Sequence, residues 1–407
     1  MASAAGQAGG REELSDARTS QSRLHPEPAH SLHPPEPAQG RHPPEPPRSQ
    51  AQTMPRLTIV MDAMGGDHAP DAIVAGAVAA ARELSIRIVL TGRPGQIRPL
   101  LARSGPLPEV TIEAAEDSIA MDEGALASWR RPRSSIAVAC QLVRRGQASA
   151  VVSAGSTGAI VATAQLRLRP LPGVARPALA VVLPTRPNPT VLVDAGAIAD
   201  PKPEMLQQFA QLGAAYTEVA FGIAEPRVAL LTIGSEPGKG NKLARRAHEL
   251  LEGGPWHGGL PVSFCGNIEG GDLLAGKADV IVTDGFTGNV ALKTIEGTAS
   301  FAAAQFRDAL GGSAPARFGA MFQRRRLREL SGRLDAESYG GAALLGLEGT
   351  VVIAHGAVSA KGASAACRLA AELTQRRITE RITERLGPGR SGHFLRRTDR
   401  RPLPDNQ

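Results

Sequence analysis

The stretch "RLTIVMDAMGGDHAPDAIVAGAVAAARE" (residues 56–83) contains a short apolar run, a glycine-containing turn and an alanine-rich helical pattern. The same succession follows at five further places, which begin "SIRIVLTG", "ASAVVSAGSTG", "TVLVDAGA", "RVALLTIGSEPGKGN" and "ADVIVTDGFTGN". Short apolar strands that alternate with helices are typical of parallel βαβ units. We therefore predict an α/β fold, a doubly wound three-layer α/β/α domain with a mostly parallel sheet.

The composition indicates an intracellular globular protein. Of the 407 residues 42% are hydrophobic but only 3% are aromatic, so the core is expected to consist of Val, Leu, Ile and Ala. Cys140, Cys265 and Cys367 form no CxxC pair, which favours reduced, buried thiols over disulfides or a zinc site. No apolar run reaches the roughly 18 residues of a membrane span, and the N-terminus lacks the apolar core of a secretory signal.

Both ends of the chain differ from its middle. Residues 1–55 repeat a His-Pro-Glu-Pro unit, which predicts a disordered extension, with metal binding by its histidines as an alternative. Met54 stands directly before the first strand, and we hypothesise that translation starts there. Residues 376–407 contain nine arginines and four acidic residues, which predicts a basic tail that is disordered at its end. The folded domain is expected at 56–375.

Polar residues gather where the predicted strands end. Ligands of open parallel sheets bind at the carboxyl ends of strands, and Gly, Ser and Thr near a helix start make an anion site. The candidates for substrate binding follow five strands: Gly65, Gly66, Asp67, Ser153, Gly155, Ser156, Thr157, Gly158, Asp194, Lys239, Asp284 and Gly288. The sequence has no P-loop, no GxGxxG after the first strand and no GxSxG elbow. This combination points to an enzyme in which phosphate itself is the nucleophile.

Six motifs occur in order over residues 57–356: "MDAMGGDHAPD", "VVSAGSTGA", "RPALAVVLPT", "VDAGA", "GNIEGGDLLAGKADVIVTDGFTGNVALKTIEG" and "GGAALLGLEGTVVIAHG". Together they resemble the bacterial acyl-acyl carrier protein:phosphate acyltransferases, the PlsX family. The resemblance implies transfer of a fatty acyl group from acyl carrier protein to inorganic phosphate. A membrane acyltransferase then transfers the group from acyl phosphate to glycerol 3-phosphate in phospholipid synthesis.

The resemblance also implies further properties of the protein. These are a cytoplasmic homodimer that associates peripherally with the inner face of the membrane, no cofactor and no metal. The fold is implied to be related to isopropylmalate dehydrogenase and phosphotransacetylase, with a protruding helical hairpin near 297–335.

Chemical roles are predicted for several of the candidates. The loop 155–158, with Ser153 and Thr157, is the expected phosphate cradle. Asn289 and Lys293 are candidates for contact with phosphate or with the oxyanion of the tetrahedral intermediate. Lys293 alternatively extends to solvent.

Catalytic acid–base chemistry is predicted at the first glycine turn. His68 is the candidate proton carrier, because an unperturbed imidazole titrates near neutral pH; the alternative is a turn in which it bonds a carbonyl. Asp62 and Asp67 are expected to orient the loops or that imidazole. Asp194 and Asp284 are alternatively helix caps.

Two departures from the family pattern keep other functions open. Ile198 replaces an amide side chain and Gly271 replaces an arginine, so a non-catalytic acyl- or phosphate-binding paralogue is one alternative. A phosphotransacetylase-like enzyme that uses coenzyme A thioesters is another. The stretch "ARFGAMFQRRRLRELSGR" has six arginines and one acid, which favours an anionic membrane or an acidic carrier protein over nucleic acid. A dimer-packing helix is the alternative.

Overall fold

The structure is a computed structural model that describes residues 57–106, 109–254, 261–311, 321–327 and 340–386. The predictions for residues 1–55, for Met54 as a start and for the end of the basic tail lie outside the described residues.

The described residues form one mixed sheet. Its eleven strands are β1 (Thr58–Asp62), β2 (Arg87–Gly92), β3 (Val110–Ala114), β4 (Ala150–Ser153), β5 (Ala178–Leu183), β6 (Thr190–Val193), β7 (Arg227–Leu231), β8 (Ser263–Ile268), β9 (Val280–Val282), β10 (Ala342–Leu345) and β11 (Thr350–Ile353). They pair in the order β3-β2-β1-β4-β11-β10-β5-β6-β9-β7-β8.

Helices connect most of these strands. They are α1 (Asp71–Leu84), α2 (Pro94–Ala102), α3 (Ala127–Arg130), α4 (Ser135–Arg144), α5 (Thr157–Leu168), α6 (Pro203–Phe221), α7 (Lys242–Gly253), α8 (Gly285–Gly311), α9 (321–327), α10 (Ala360–Gln375) and α11 (Ile378–Leu386).

The sheet consists of two parallel halves whose strands run in opposite senses. Strands β3, β2, β1, β4 and β11 are mutually parallel, and so are β6, β9, β7 and β8. Between the halves, β11 pairs antiparallel with β10, β10 with β5, and β5 with β6. The mostly parallel α/β sheet is confirmed, but each half has its own carboxyl-terminal edge, which the sequence analysis did not distinguish.

Alternate strand residues enter two separate cores, one on each face of the sheet. Ile59 and Met61 belong to a core that includes residues of α1, α6 and α10, whereas Val60 belongs to a core that includes residues of α4, α5 and α8. Helices therefore cover both faces, as the three-layer prediction requires. The buried side chains are mostly Val, Leu, Ile and Ala, with few aromatic rings, as predicted.

Two structural details differ from the predictions, and one prediction stays open. Cys140 and Cys367 are buried, but the expectation for Cys265 is wrong: it is exposed, because β8 is the edge strand of the sheet. Ile378 and Ile382 of α11 are buried, so folded structure continues past residue 375. The predicted hairpin near 297–335 falls partly outside the described residues and stays a prediction.

An ion pair with one buried partner joins the start of β7 to the residue before β9. Asp279, whose side chain is 5% exposed, accepts hydrogen bonds from Arg227 through the backbone N–H and the guanidinium Nε and Nη2 at 2.9–3.0 Å. Burial acts to raise the pKa of Asp279, but the Arg227 hydrogen bonds outweigh it and lower that pKa below its ordinary 3.8. Folding therefore favours the charged carboxylate.

We expect Arg227→Ala to lower the free energy of unfolding by about 1–3 kcal/mol at pH 7, since it removes charged donors from a buried carboxylate. Because the pKa of Asp279 is lowered in the folded state, this stabilisation is present above pH 3.8 and is lost as the pH falls below it. Urea unfolding of both proteins at pH 7 and at lower pH measures the difference.

Arg133→Ala serves as the control, because Arg133 pairs with Glu116 and both side chains are largely exposed. Its effect should stay below about 0.5 kcal/mol. Equal losses of unfolding free energy in the two variants would contradict a larger contribution from the Arg227–Asp279 pair.

Candidate functional site

Asp62, the last residue of β1, organises the carboxyl edge of the first half. Its side chain is 3% exposed; Oδ1 accepts the Met64 N–H at 3.1 Å and Oδ2 accepts the Ser153 hydroxyl at 2.8 Å. The Ser135 hydroxyl, at the start of α4, also bonds to this carboxyl. Burial raises the pKa of Asp62 above 3.8, although these hydrogen bonds oppose the shift.

The glycine turn after β1 packs tightly against the loop after β4. A Cβ on Gly65 would lie 2.8 Å from both Asp62 Oδ2 and the Gly155 nitrogen, so only glycine fits there. Gly66 has a φ of +112°, which favours glycine. The Asp67 N–H donates to the Gly356 carbonyl at 2.8 Å, which joins the turn to the segment after β11. We call residues 62–68, 153–158 and 355–356 the Asp62 cluster.

Helix α5 begins at the centre of this cluster. No side chain caps it and its first turn contains no acidic residue. Ser156 and Thr157 are half-buried, while Gly158 is exposed. The Ser153 hydroxyl is already occupied, since it donates to Asp62 and accepts the Gly155 N–H at 3.2 Å. The helix start therefore offers backbone N–H groups and two hydroxyls to an anion.

The remaining side chains at the rim of the cluster are polar and accessible. Asp67, His68 and His355 are exposed, and the His355 Nδ1 accepts the Ala357 N–H at 3.2 Å. Cys140 lies behind Asp62, and burial together with the Asp62 charge raises the pKa of its thiol to about 12. That thiol is not a nucleophile at neutral pH.

A second aspartate organises the other half in the same way. Asp194, directly after β6, is fully buried and its Oδ1 accepts the N–H groups of Leu179, Gly196 and Ala197 at 2.9–3.0 Å. Its Oδ2 accepts the Ile198 N–H at 2.7 Å. Burial raises the pKa of Asp194, and the four N–H groups oppose this shift. The carboxylate thus accepts one N–H group from β5 and three from the loop 194–198.

The helix that follows β9 includes the glycine turn "GFTGN" in its first turns. Helix α8 begins at Gly285, not after Asn289, so Lys293 lies two turns inside it. A Cβ on Gly285 would lie 2.7 Å from the Ile198 carbonyl oxygen, and one on Gly288 would overlap the Asp194 carbonyl. These glycines let α8 approach the loop 194–198.

Side chains of α8 complete this second group, which we call the Asp194 cluster (194–198 and 284–289). Asp284 caps the helix: Oδ1 accepts the Thr287 N–H and Oδ2 its hydroxyl, both at 2.8 Å. The half-buried Asn289 donates from Nδ2 to the Ala195 carbonyl at 3.3 Å. Lys293 is exposed.

The loop after β7 stands apart from both clusters. Its Lys239 is exposed, and its side-chain carbons lie over Gly234, where a Cβ would be 2.9 Å from Lys239 Cγ. Within the described ranges, hydrogen bonds connect residues inside each cluster, and none runs from the Asp62 cluster to the Asp194 cluster or to Lys239. The candidates therefore form two groups and one separate cation.

Ile198 and Gly271, the two departures from the family pattern, differ in their surroundings. Ile198 acts through its backbone, since its N–H bonds Asp194 and its carbonyl accepts the Gly285 N–H at 2.8 Å. Its side chain packs on the core. Gly271 lies in a 3-10 turn (Gly270–Asp272) with open space around its Cβ position.

The sequence analysis missed several residues of the Asp62 cluster's surroundings. Ser135 was overlooked, although a serine pair before a helix is a recognisable start signal. Met121 and Ala125, in the segment between β3 and α4, also lie against the cluster. They were missed because that segment has no regular pattern.

A model of the family described as "Fatty acid synthesis protein" matches residues 57–381. The chain belongs to this family. Phosphate acyltransferase from Thermobifida fusca is 62% identical over 340 residues, covering 83% of this chain and 94% of its own. Phosphate acyltransferase from Heliobacterium modesticaldum is 46% identical over 337 residues, covering 82% and 98%. The resemblance found in the sequence is confirmed, and the family is one of acyltransferase enzymes.

Membership of this family agrees with the fold. A phosphotransacetylase from Streptococcus pyogenes has a TM-score of 0.52 at 19% sequence identity, and the alignment covers 80% of this chain and 94% of that one. At this identity the likeness concerns the fold alone. The predicted relation to phosphotransacetylases is confirmed at that level.

We expect Gly65→Ala to destabilise the fold and disturb the Asp62 cluster, since its Cβ would meet three polar atoms within 2.9 Å. Gly95→Ala is the matched control, because Gly95 is exposed in α2 with nothing near its Cβ position. Thermal unfolding should show a lower Tm for Gly65→Ala and an unchanged or raised Tm for Gly95→Ala. Equal Tm values would contradict the packing argument.

Asp62→Asn is expected to change the pH dependence of stability. Because the folded-state pKa of Asp62 is raised above 3.8, its contribution to stability falls as the pH rises through that pKa. The variant lacks this loss, so its stability relative to the natural chain should increase with pH above 3.8. Denaturant unfolding between pH 4 and 8 measures it, with Glu113→Gln, an exposed strand residue, as control. Parallel pH profiles of unfolding free energy would contradict a raised pKa of Asp62 in the folded state.

Proposed function

We propose that this protein transfers a fatty acyl group from the thioester of acyl carrier protein to inorganic phosphate, producing acyl phosphate for phospholipid synthesis. The observation that carries the proposal is the family membership, together with the 62% identity to a phosphate acyltransferase. The uncapped start of α5 beside two glycine loops supports it from the geometry.

The reaction needs a held phosphate and a stabilised oxyanion. We assign phosphate to the N–H groups and hydroxyls of Ser156, Thr157 and Gly158, where the helix dipole favours negative charge. A phosphate oxygen attacks the thioester carbonyl carbon, and the tetrahedral oxyanion collapses with cleavage of the carbon–sulfur bond. The proton of hydrogen phosphate passes to the leaving thiolate. Because phosphate attacks the thioester directly, no covalent enzyme intermediate forms. Fixed amide donors suit this step because they need no reorganisation.

The side chains around the helix start have distinct proposed roles. His68, exposed at the rim, is the proposed proton carrier between phosphate and thiolate, and Asp67 is proposed to orient the turn. Asp62 is a positioning residue, since its oxygens hold the loops and are buried. Lys293, exposed on α8 in the other half of the sheet, is the proposed cation for phosphate or oxyanion, and this role requires its ammonium to reach the start of α5.

The partners are proposed on the same basis. Arg324 and Arg326 are exposed on α9 and suit the acidic surface of acyl carrier protein. We further propose a cytoplasmic homodimer, peripheral contact with the inner face of the membrane, and delivery of acyl phosphate to a membrane glycerol-3-phosphate acyltransferase. No helix among the described residues has the length and apolar content to cross a membrane.

The reaction is tested with the full chain, palmitoyl-acyl carrier protein and inorganic phosphate. Free carrier protein is measured over time, and acyl phosphate is trapped with hydroxylamine. We expect turnover that depends on phosphate. Binding of the acyl donor without turnover would overturn the proposal in favour of a binding protein, and equal use of palmitoyl-coenzyme A would overturn the choice of donor.

Charge reversal at Arg324 and Arg326 tests whether these arginines bind acyl carrier protein rather than the acyl group common to both donors. Arg324→Glu with Arg326→Glu should raise the KM for palmitoyl-acyl carrier protein and leave the KM for palmitoyl-coenzyme A unchanged. Equal effects on both donors would contradict a carrier-protein surface on α9.

Lys293→Ala should reduce kcat by about a hundredfold if its ammonium stabilises the reacting oxygens. Lys242→Ala, an exposed lysine at the start of α7, is the control and should retain activity. Steady-state rates at saturating phosphate provide the comparison. Full activity in Lys293→Ala would remove Lys293 from the mechanism.

A further inference from the structure

The segment 121–129, between β3 and α4, exposes three large apolar side chains within nine residues. Met121 is 37% exposed, Leu126 72% and Trp129 70%. Trp129 is one of two tryptophans in the chain. Such a concentration of apolar surface usually marks a binding site.

This segment lies directly beside the Asp62 cluster. A Cβ on Gly356 would lie 2.7 Å from Met121 Cε, so the methionine rests on the glycine whose carbonyl accepts the Asp67 N–H. A Cβ on Gly158 would lie 3.8 Å from the Ala125 nitrogen, so the segment also follows the first turn of α5. The apolar side chains thus adjoin the proposed phosphate position.

Polar contacts hold the segment in place beneath these side chains. Arg131 forms ion pairs at 2.9 Å with Asp117 and with Glu123, and it donates to the Ser118 carbonyl at 2.8 Å. Glu123 accepts the Ala120 N–H at 2.8 Å. Through Glu123 these contacts connect the segment to the residues on both sides of it.

The charges of the segment favour an uncharged ligand. Residues 116–133 contain four acidic and three basic residues, and Arg131 and Arg133 are both paired with acids. A surface so nearly neutral attracts neither an acidic carrier protein nor an anionic bilayer. It does suit a hydrocarbon chain, whose burial is favourable by about fourfold in affinity per methylene group.

We propose that Met121, Leu126 and Trp129 bind the hydrocarbon chain of the acyl donor and so determine its chain length. This inference rests on the proposed function, because it requires a thioester carbonyl held at the start of α5. The chain would leave that carbonyl over Gly158 and Gly356 and lie against the three side chains. Short acyl groups would not reach them.

The kinetic test compares donors that carry palmitoyl and butyryl groups on the same acyl carrier protein. In Leu126→Ser with Trp129→Ser, the ratio of kcat/KM for palmitoyl to that for butyryl should fall about fifteenfold, the equivalent of two buried methylene groups at about fourfold each. The butyryl rate should stay unchanged. Both residues are exposed in the free protein, so folding is not at risk, and Leu166→Ser, at the far end of α5, is the control.

A direct binding measurement uses the fluorescence of Trp129 in a Trp256→Phe background. Decylphosphonate should shift the emission to shorter wavelength, while butylphosphonate should not. Absence of a shift with both ligands would overturn the site.

The outcomes separate the inference from the proposed function. If the natural chain turns over neither donor, the proposed function fails. If it prefers palmitoyl and the double variant retains that preference, the chain-length site is overturned. If both donors lose rate equally while the mass in solution or the binding to anionic vesicles changes, a second copy or a membrane covers this surface instead.

Discussion

The hydrogen bond between the buried Asp62 carboxyl and the Ser153 hydroxyl is the interaction on which the first half depends. It joins the ends of two neighbouring parallel strands, β1 and β4. Among the described residues Asp62 has no ion-pair partner, so its carboxyl depends on donors from its own turn and from two sequence-distant segments, at Ser135 and Ser153. Because an unbonded carboxylate in this position would be costly, the loops that supply those donors are fixed in place. The start of α5 is fixed with them.

The second half repeats this arrangement with different donors. Asp194 receives four backbone N–H groups and no hydroxyl, so its loop is ordered by the main chain alone. This explains why Ile198 fits where the family usually has an amide side chain, since the bonds that shape the loop belong to the backbone. In both halves a strand-end aspartate holds a glycine loop, and polar side chains nearby, among them His68 and Lys293, are exposed.

The strand–turn–helix pattern in the sequence predicts those strands that are followed by a turn and a helix. All six strands named from that pattern are present, from β1 to β9, because each is followed by a turn and a helix. Strands β5 and β10 continue directly into another strand, so the pattern did not reveal them. With them the reversal between the two halves was missed as well.

The sequence identified polar residues that follow the strands, but it did not show how the fold groups them. The strand-end aspartates and glycines were found because polar residues are conspicuous after apolar runs. Whether Gly285 and Gly288 approach a ligand or a neighbouring loop depends on tertiary contacts with Asp194, which no local pattern encodes. The same holds for Ser135 and Met121, whose relevance comes from distant parts of the chain.

The antiparallel pair β10 and β11 gives the sheet an order of assembly. Thr350 pairs with Ala150 and Ala343 with Ala180, so the strands at the centre of the sheet come from the end of the folded region. During synthesis β4 and β5 each have an unpaired edge until residues 342–353 leave the ribosome. Such edges can pair with strands of other chains. A nascent chain that stops before this point carries two unjoined sheet halves, which makes truncated products targets for chaperones and proteases.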